Sequence, residues 1–341
     1  MENLSTRSKG SPCGFGQLTA MLKYLLAGLL LVGAVLPSQT IESQGRRWTY
    51  YSVAPESSET PPPLILLFHG TGGSGGGFLD RSGWADKARQ EGFVVVAPSG
   101  QTKKPDEAAN FLSNPRVWNF RDSTSTDQAF VCELAEKAVQ NFHADPSRVY
   151  LVGHSAGAGF CFRLAAAYPQ RWAGIGCVQG PIPGQPSPLG RAVPTVAVYG
   201  EEDPIIPFNG GQVSTPWGPH ESLPVRQMLG QWAAGLGFSL QSTLVSEDDD
   251  QRTEDYGPDV RAIFLKGHGH NYPSPTQPAV DERFGPIRVN IPVNDLIWDY
   301  LKTRKSPGLH QTGAPAKLSI PGGANARGGT EFLQPPGPPT F

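Results

Sequence analysis

Three short segments of this chain hold residue types that together could move a proton off a hydroxyl. They are Gly153-His154-Ser155-Ala156-Gly157, Gly200-Glu201-Glu202-Asp203-Pro204 and Gly267-His268-Gly269-His270-Asn271-Tyr272-Pro273. A serine hydroxyl is a weak nucleophile until a neutral imidazole takes its proton, and a carboxylate behind the ring fixes its tautomer and stabilises its cation. That is the chemistry of acyl transfer. In a chain with 41 glycines and 25 serines the pattern Gly-x-Ser-x-Gly arises by chance about 0.4 times, so its weight lies in its setting. Ser155 follows the apolar run Arg148-Val-Tyr-Leu-Val152 and precedes a helix-like run to Tyr168. A strand, a tight turn and a helix in that order lift a serine above a sheet edge and aim the next amide, that of Ala156, at an oxyanion. A second match, Gly72-Gly-Ser74-Gly-Gly76, also follows a strand but runs into more glycine, so Ser74 reads as a loop residue.

The partners of Ser155 are less sharply marked. Asp203 is the expected acid, with Glu201 and Glu202 as alternatives and a plain turn before Pro204 as the bland reading. His268 and His270 compete for the role of base. As a pair they also resemble metal ligands, but no further ligand cluster accompanies them, so neither zinc nor any other cofactor is expected. The turn should point His154 away from the serine into packing, and His69 should order the loop that follows its strand. That loop, Gly70-Thr71-Gly72-Gly73-Ser74-Gly75, satisfies Gly-x-Gly-x-x-Gly. A dinucleotide site would need a helix at once and an acid ending the next strand, yet the glycines continue to Gly77 and that strand ends in Ala97-Pro98-Ser99. The glycines are better suited to turning amides toward an oxyanion, with Thr71 as the second donor.

Elements able to position these groups alternate along the chain. Strands are expected at Trp48–Val53, Leu64–Phe68, Phe93–Ala97, Val149–Val152, Gly174–Val178, Thr195–Tyr199 and Arg261–Leu265. Helices are expected at Asp80–Gln90, Asp127–Phe142 (capped by Thr126), Ala156–Tyr168, Val225–Leu236 and Asn294–Lys302. Continuously apolar strands between amphipathic helices predict a doubly wound, mostly parallel α/β sheet with helices on both faces. In such sheets chemistry collects beyond the carboxyl ends of the strands, where all three segments fall. The chain order Ser, Asp, His is that of the α/β-hydrolase fold.

Composition limits the remaining possibilities. The net charge is −2 with charges mixed along the chain, so no basic stripe suggests nucleic acid. The cluster Glu247-Asp-Asp-Asp250 reads as a solvated loop, its spacing matching no calcium loop. Tyr24–Leu36 is an apolar run of about 13 residues behind Lys23, short of the roughly 20 that span a bilayer but suited to a signal peptide. Residues 1–42 are therefore expected to form a signal region, with translation starting at Met1 or Met21 and cleavage between Ser38 and Ser43; an uncleaved anchor is the alternative. The mature protein is expected to be secreted, without stable membrane association. A catalytic domain is expected over residues 43–305, and a disordered Pro/Gly-rich tail over 306–341. Cys132, Cys161 and Cys177 are too dispersed for a disulfide scaffold.

Six segments in order resemble the secreted esterases of the poly(3-hydroxybutyrate) depolymerase and feruloyl esterase types. These are Leu66–Ser74, Val117-Trp118-Asn119, Asp127–Val131, Asp145–Ser155, Tyr199–Pro207 and Gly267–Pro273. The resemblance spans most of residues 48 to 302 and implies a serine-dependent carboxylic ester hydrolase. In that family the base sits in Gly-His-x-aromatic-Pro, which selects His270 over His268. Tyr272 stands where Trp is usual, and Phe120-Arg121-Asp122 where many members carry cysteines, which bears on substrate choice. Trp118, Trp217 and Tyr272 are candidates for the substrate wall, or else ordinary packing. The expected partner is an ester substrate, small or oligomeric; a serine peptidase or a non-catalytic binding module on the same scaffold are the competing functions.

Overall fold

The structure is a computed structural model that describes residues 37–121, 125–184, 191–215, 218–274, 282–288 and 290–309. The apolar run Tyr24–Leu36, most of the expected tail and Trp217 lie outside these residues.

The strands are β1 (Gln39–Ser43), β2 (Arg46–Val53), β3 (Leu64–Phe68), β4 (Val94–Pro98), β5 (Gln101–Thr102), β6 (Arg116–Val117), β7 (Val149–His154), β8 (Gly174–Val178), β9 (Thr195–Gly200), β10 (Gly211–Thr215), β11 (Gly218–Ser222), β12 (Thr243–Glu247), β13 (Gln251–Asp255) and β14 (Val260–Leu265). The helices are α1 (Gly75–Arg81), α2 (Trp84–Glu91), α3 (Thr126–Phe142), α4 (Ala156–Ala167), α5 (Val225–Gly235) and α6 (Val293–Leu301).

Ten strands form one sheet in the order β1-β2-β4-β3-β7-β8-β9-β14-β13-β12. The six from β4 to β14 run parallel, and antiparallel pairs flank them on both sides. Strands β3, β4, β8 and β9 are buried along their whole length, which is why their sequences are apolar without alternation. Helices cover both faces. On β8, Cys177 Sγ lies 3.7 Å from Ala158 O of α4. A Cβ added at Gly176 would instead meet Ile297 of α6 at 2.6 Å, so alternate residues face opposite helices. Trp48 of β2 stacks on Phe130 of α3 with ring centroids 3.9 Å apart.

The seven expected strands are present, shifted by a residue or two at their ends. Several expectations need correction. The sheet begins at Gln39, so a boundary at 43 cuts through β1, whose Ile41 is buried. At the other end Ser306 hydrogen-bonds Ser147 O and Arg171 O, and Leu309 is buried, so ordered chain runs past Lys305. The single helix expected over Asp80–Gln90 is two, broken at Gly83, which has φ of +77°. The glycine run after β3 does open a helix at once: Ser74 caps α1, its Oγ accepting from the Gly77 amide at 3.2 Å. Ser125, not Thr126, is the residue before α3, and its hydroxyl donates to Asn119 O. The acidic cluster forms the turn of the β12–β13 hairpin, where Asp248 Oδ1 accepts the amides of Asp250 and Gln251.

Candidate active site

The turn after β7 holds Ser155 at φ 54° and ψ −122°, a conformation that costs a residue with a Cβ free energy and is kept only where its surroundings insist on it. Those surroundings are tight. A Cβ at Gly153 would lie 2.4 Å from the carbonyl of Gly157, and one at Gly157 would lie 2.3 Å from Phe68 O. The Ser155 amide donates to Val178 O at 2.9 Å, and its carbonyl accepts from Gly159 to start α4. The side chain is thereby lifted beyond the carboxyl edge of the sheet.

Two loops from the same edge complete the arrangement. Ser155 Oγ lies 2.8 Å from His270 Nε2, and His270 Nδ1 lies 2.8 Å from Asp203 Oδ2. Asp203 follows β9, and its Oδ1 accepts the amides of Ile205 at 2.7 Å and Ile206 at 2.8 Å. A carboxylate held by two amides keeps its second oxygen for Nδ1–H, which leaves Nε2 to accept from the serine hydroxyl. Asp203 and His270 are both buried, so this chain of bonds is sheltered from water.

The loop after β3 lies against the serine: a Cβ at Gly70 would come within 3.2 Å of Ser155 Cβ. Gly73 N–H donates to Gly70 O and Gly72 N–H to Arg116 O, which leaves the Thr71 amide, among the described residues, without an internal acceptor. His69 locks this loop from beneath. Its Nε2 accepts from Gly100 N–H at 2.9 Å, so Nδ1 carries the proton and donates to Gly70 O at 2.7 Å. Burial holds the imidazole neutral, pushing it down to about 4. This is the ordering role expected of His69.

The base loop is fixed by Gln179, which the sequence did not single out, together with His154 and His268. Gln179, at the end of β8 with φ of 52°, is fully buried. Its Nε2 donates to Gly269 O, and its Oε1 faces His154 Nε2 at 3.2 Å. His154 Nε2–H also donates to His270 O at 2.8 Å, and the ring packs against Phe78 and Tyr272. Burial, and next the charge of His270, pushes His154 down to about 3. His268 is occupied on both nitrogens, Nε2 by Asn271 O and Nδ1 by the Arg288 amide. It is a buried strut of the loop.

The expected substrate wall is corrected. Trp118 is 3% exposed, stacks on Phe160 and donates its indole N–H to His69 O. Tyr272 is 2% exposed, accepts from Trp84 Nε1 and donates to Asn294 Oδ1. Both support the loops from inside and present almost no surface to a ligand. Partly exposed aromatics stand at the site instead. Phe284 stacks on His270 at 6.1 Å, Phe111 meets Phe284 edge-on at 6.5 Å, and the Phe111 ring covers Gly72. Neither phenylalanine sits in a motif, so only their packing reveals them.

Residues 49–208 match the family model described as Esterase PHB depolymerase, a stretch that includes the Thr71 loop, Ser155 and Asp203 but stops before His270. Acetylxylan esterase A of Talaromyces purpureogenus is 25% identical over 255 residues, covering 65% of this chain and 64% of that protein. Feruloyl esterase B of Neurospora crassa is 26% identical over 162 residues, covering 44% of this chain and 52% of that one. The chain thus spans less than two thirds of the length of these curated relatives. Among solved structures, the acetyl xylan esterase from Aspergillus awamori superposes with a TM-score of 0.56 at 16% identity, covering 78% of this chain and 99% of that one. The fold is that of the α/β-hydrolases.

Proposed function

We propose that this protein hydrolyses carboxylic esters through an acyl-enzyme. The observation that carries the reading is the unbroken chain of two 2.8 Å contacts from Ser155 through His270 to Asp203. Ser155 Oγ attacks the acyl carbon as His270 Nε2 takes its proton. Asp203 holds the imidazole in the tautomer that can accept and stabilises the cation that results. The amides of Ala156 and Thr71 donate to the oxygen that gains negative charge. His270 then returns its proton to the leaving alcohol, and water repeats the sequence to release the acid. These steps ask for no metal or organic cofactor.

The esters best suited are the acetyl or feruloyl esters of a plant polysaccharide, or short hydroxyacyl oligomers. The names of the relatives point that way, and the Phe111–Phe284 pair offers a planar or short acyl group an apolar neighbour. We further read the run Tyr24–Leu36 as an export signal. Among the described residues no helix is long and apolar enough to cross a membrane.

The purified protein should turn over p-nitrophenyl acetate and butyrate and leave a panel of peptide anilides intact. A serine-reactive phosphonate should label Ser155. Cleavage of the anilides in preference to the esters would favour a peptidase, and an inert protein would favour a binding module.

A further inference from the structure

A cavity of about 490 Å³ opens along the sheet edge that carries Ser155, and the ester chemistry does not use it. One wall is β2, whose alternate residues Arg47, Thr49 and Tyr51 share a strand face; Ser99, Gln101 and Arg116 line the rest. Strand β2 runs antiparallel to β4 with Tyr50 opposite Pro98, so the Arg47 end of β2 lies beside the carboxyl end of β4. Between β4 and β7 stands only β3, two strand spacings or about 10 Å across. Cavity and serine also share a partition. Gly100 in the cavity lining donates to His69 Nε2, and the Arg116 carbonyl accepts Gly72 N–H from the Thr71 loop.

The lining is hydroxylic and cationic. Ser99 Oγ accepts from Gly75 N–H, which leaves its own proton to donate. Arg47 is paired with Glu42, and Glu107 at the rim with Lys104. Arg116 has no ion-pair or side-chain hydrogen-bond partner among the described residues, so its charge is the one left for a ligand to meet. The Tyr51 ring lies against α1, close enough that a Cβ at Gly76 would sit 2.8 Å from it, and so is held as a flat apolar face among the hydroxyls. A hydroxyacyl polyester would put methyl groups and weak acceptors against these donors, leaving them unsatisfied.

The geometry points to a glycosyl subsite for a hydroxyl-rich oligosaccharide bearing a uronic acid, whose carboxylate meets Arg116 while its ester group reaches Ser155. This rests on the ester-hydrolase reading and narrows it to acidic polysaccharide. The test pairs acetylated xylo-oligosaccharides with and without a uronic acid branch, assayed on one preparation. The acid-bearing substrate should be preferred in kcat/KM by about tenfold, the worth of one charge-assisted hydrogen bond. Arg116→Gln should bring that ratio close to one, whereas Arg89→Gln, at an exposed position of α2, should leave it alone. A ratio already near one, or one that Arg116→Gln does not move, overturns the subsite. Calorimetry with the de-esterified oligosaccharides separates the two readings. Preferential binding of the acidic one, lost in Arg116→Gln, supports the subsite even if no ester is cleaved; cleavage of esters without that preference in either measurement removes the subsite and leaves the ester reading standing.

Discussion

Ser155 and Ser74 occupy the same short pattern and are separated by what surrounds them. Ser155 faces an imidazole at 2.8 Å, whereas the Ser74 hydroxyl accepts a helix amide. Ser155→Ala should therefore lower ester turnover by about 10⁴-fold or more, the scale of losing a triad member, with the melting temperature nearly unchanged. Ser74→Ala should cost only a helix cap, about 1 kcal/mol of stability. Turnover and denaturant midpoints on both variants decide the point. His268→Ala should weaken activity modestly by loosening a loop, while His270→Ala abolishes it. Two further histidines link stability to pH. His69 and His154 are held at about 4 and about 3 in the folded protein, against about 6.5 in the unfolded chain. Between those values the unfolded state binds more protons, so stability is complete above about pH 6.5 and is lost as pH falls toward 4, by up to about 1.4 kcal/mol per unit for each ring. Urea midpoints at pH 7, 5.5 and 4.5 should fall accordingly, and His69→Asn should flatten the slope. An unchanged slope in that variant would count against the assignment.

At the scale of elements, the site depends on two close approaches. The β7–α4 turn works because Gly153 and Gly157 let strand, turn and helix touch backbone to backbone. Gly157→Ala should destabilise by more than about 3 kcal/mol, beyond ordinary overpacking, because its Cβ meets carbonyls that cannot rotate away. A soluble, fully active Gly157→Ala protein would show that the turn has more slack than its geometry allows. The second approach is that of the loop bearing Phe111. Buried Asn114 ties this loop together, accepting from Lys104 N–H and donating to the carbonyls of Lys104 and Glu107, while its backbone bridges Asn110. Phe284→Ala should lower kcat/KM for feruloyl or cinnamoyl esters by about three- to tenfold, the range of one aromatic pair, with less effect on acetate. Equal losses on both esters would place Phe284 in support of His270 rather than against the acyl group.

For the whole molecule, the antiparallel flanks matter as well as the parallel centre. Strand β1 closes the sheet beyond β2 and carries the Ser43 carbonyl that accepts from Trp48 Nε1. A chain beginning at Ser38 should fold as stably as the full chain. One beginning at Gln44 should melt several degrees lower, since it loses the β1 pairing, buried Ile41 and that acceptor. Equal melting temperatures would make β1 dispensable. The same comparison bears on export, because a mature chain cut at Ser43 would lack a strand that the fold uses.

Local pattern determined much of this protein. Continuous apolar runs marked Leu64–Phe68 and Gly174–Val178 to the residue, because parallel strands covered on both faces need no polar positions. The glycines around Ser155 marked the turn, since only a backbone contact makes both obligatory. The carboxyl-edge loops pointed to Asp203 and left His268 and His270 in competition, and only the resemblance to the esterase family chose His270. The hairpin β12–β13 escaped notice because its first strand is exposed throughout, and Leu244 and Val245 stand side by side there without the alternation that marks a half-buried strand. Gln179, Phe111 and Phe284 escaped for a different reason. Their roles are contacts between segments distant in the chain, Gln179 with Gly269 and Phe111 with Phe284, and no periodicity encodes such a meeting. Trp118 and Tyr272 show the converse. An aromatic residue reads alike in sequence whether it lines a cleft or fills the core, and only the packing of loops onto the sheet decided that both lie inside.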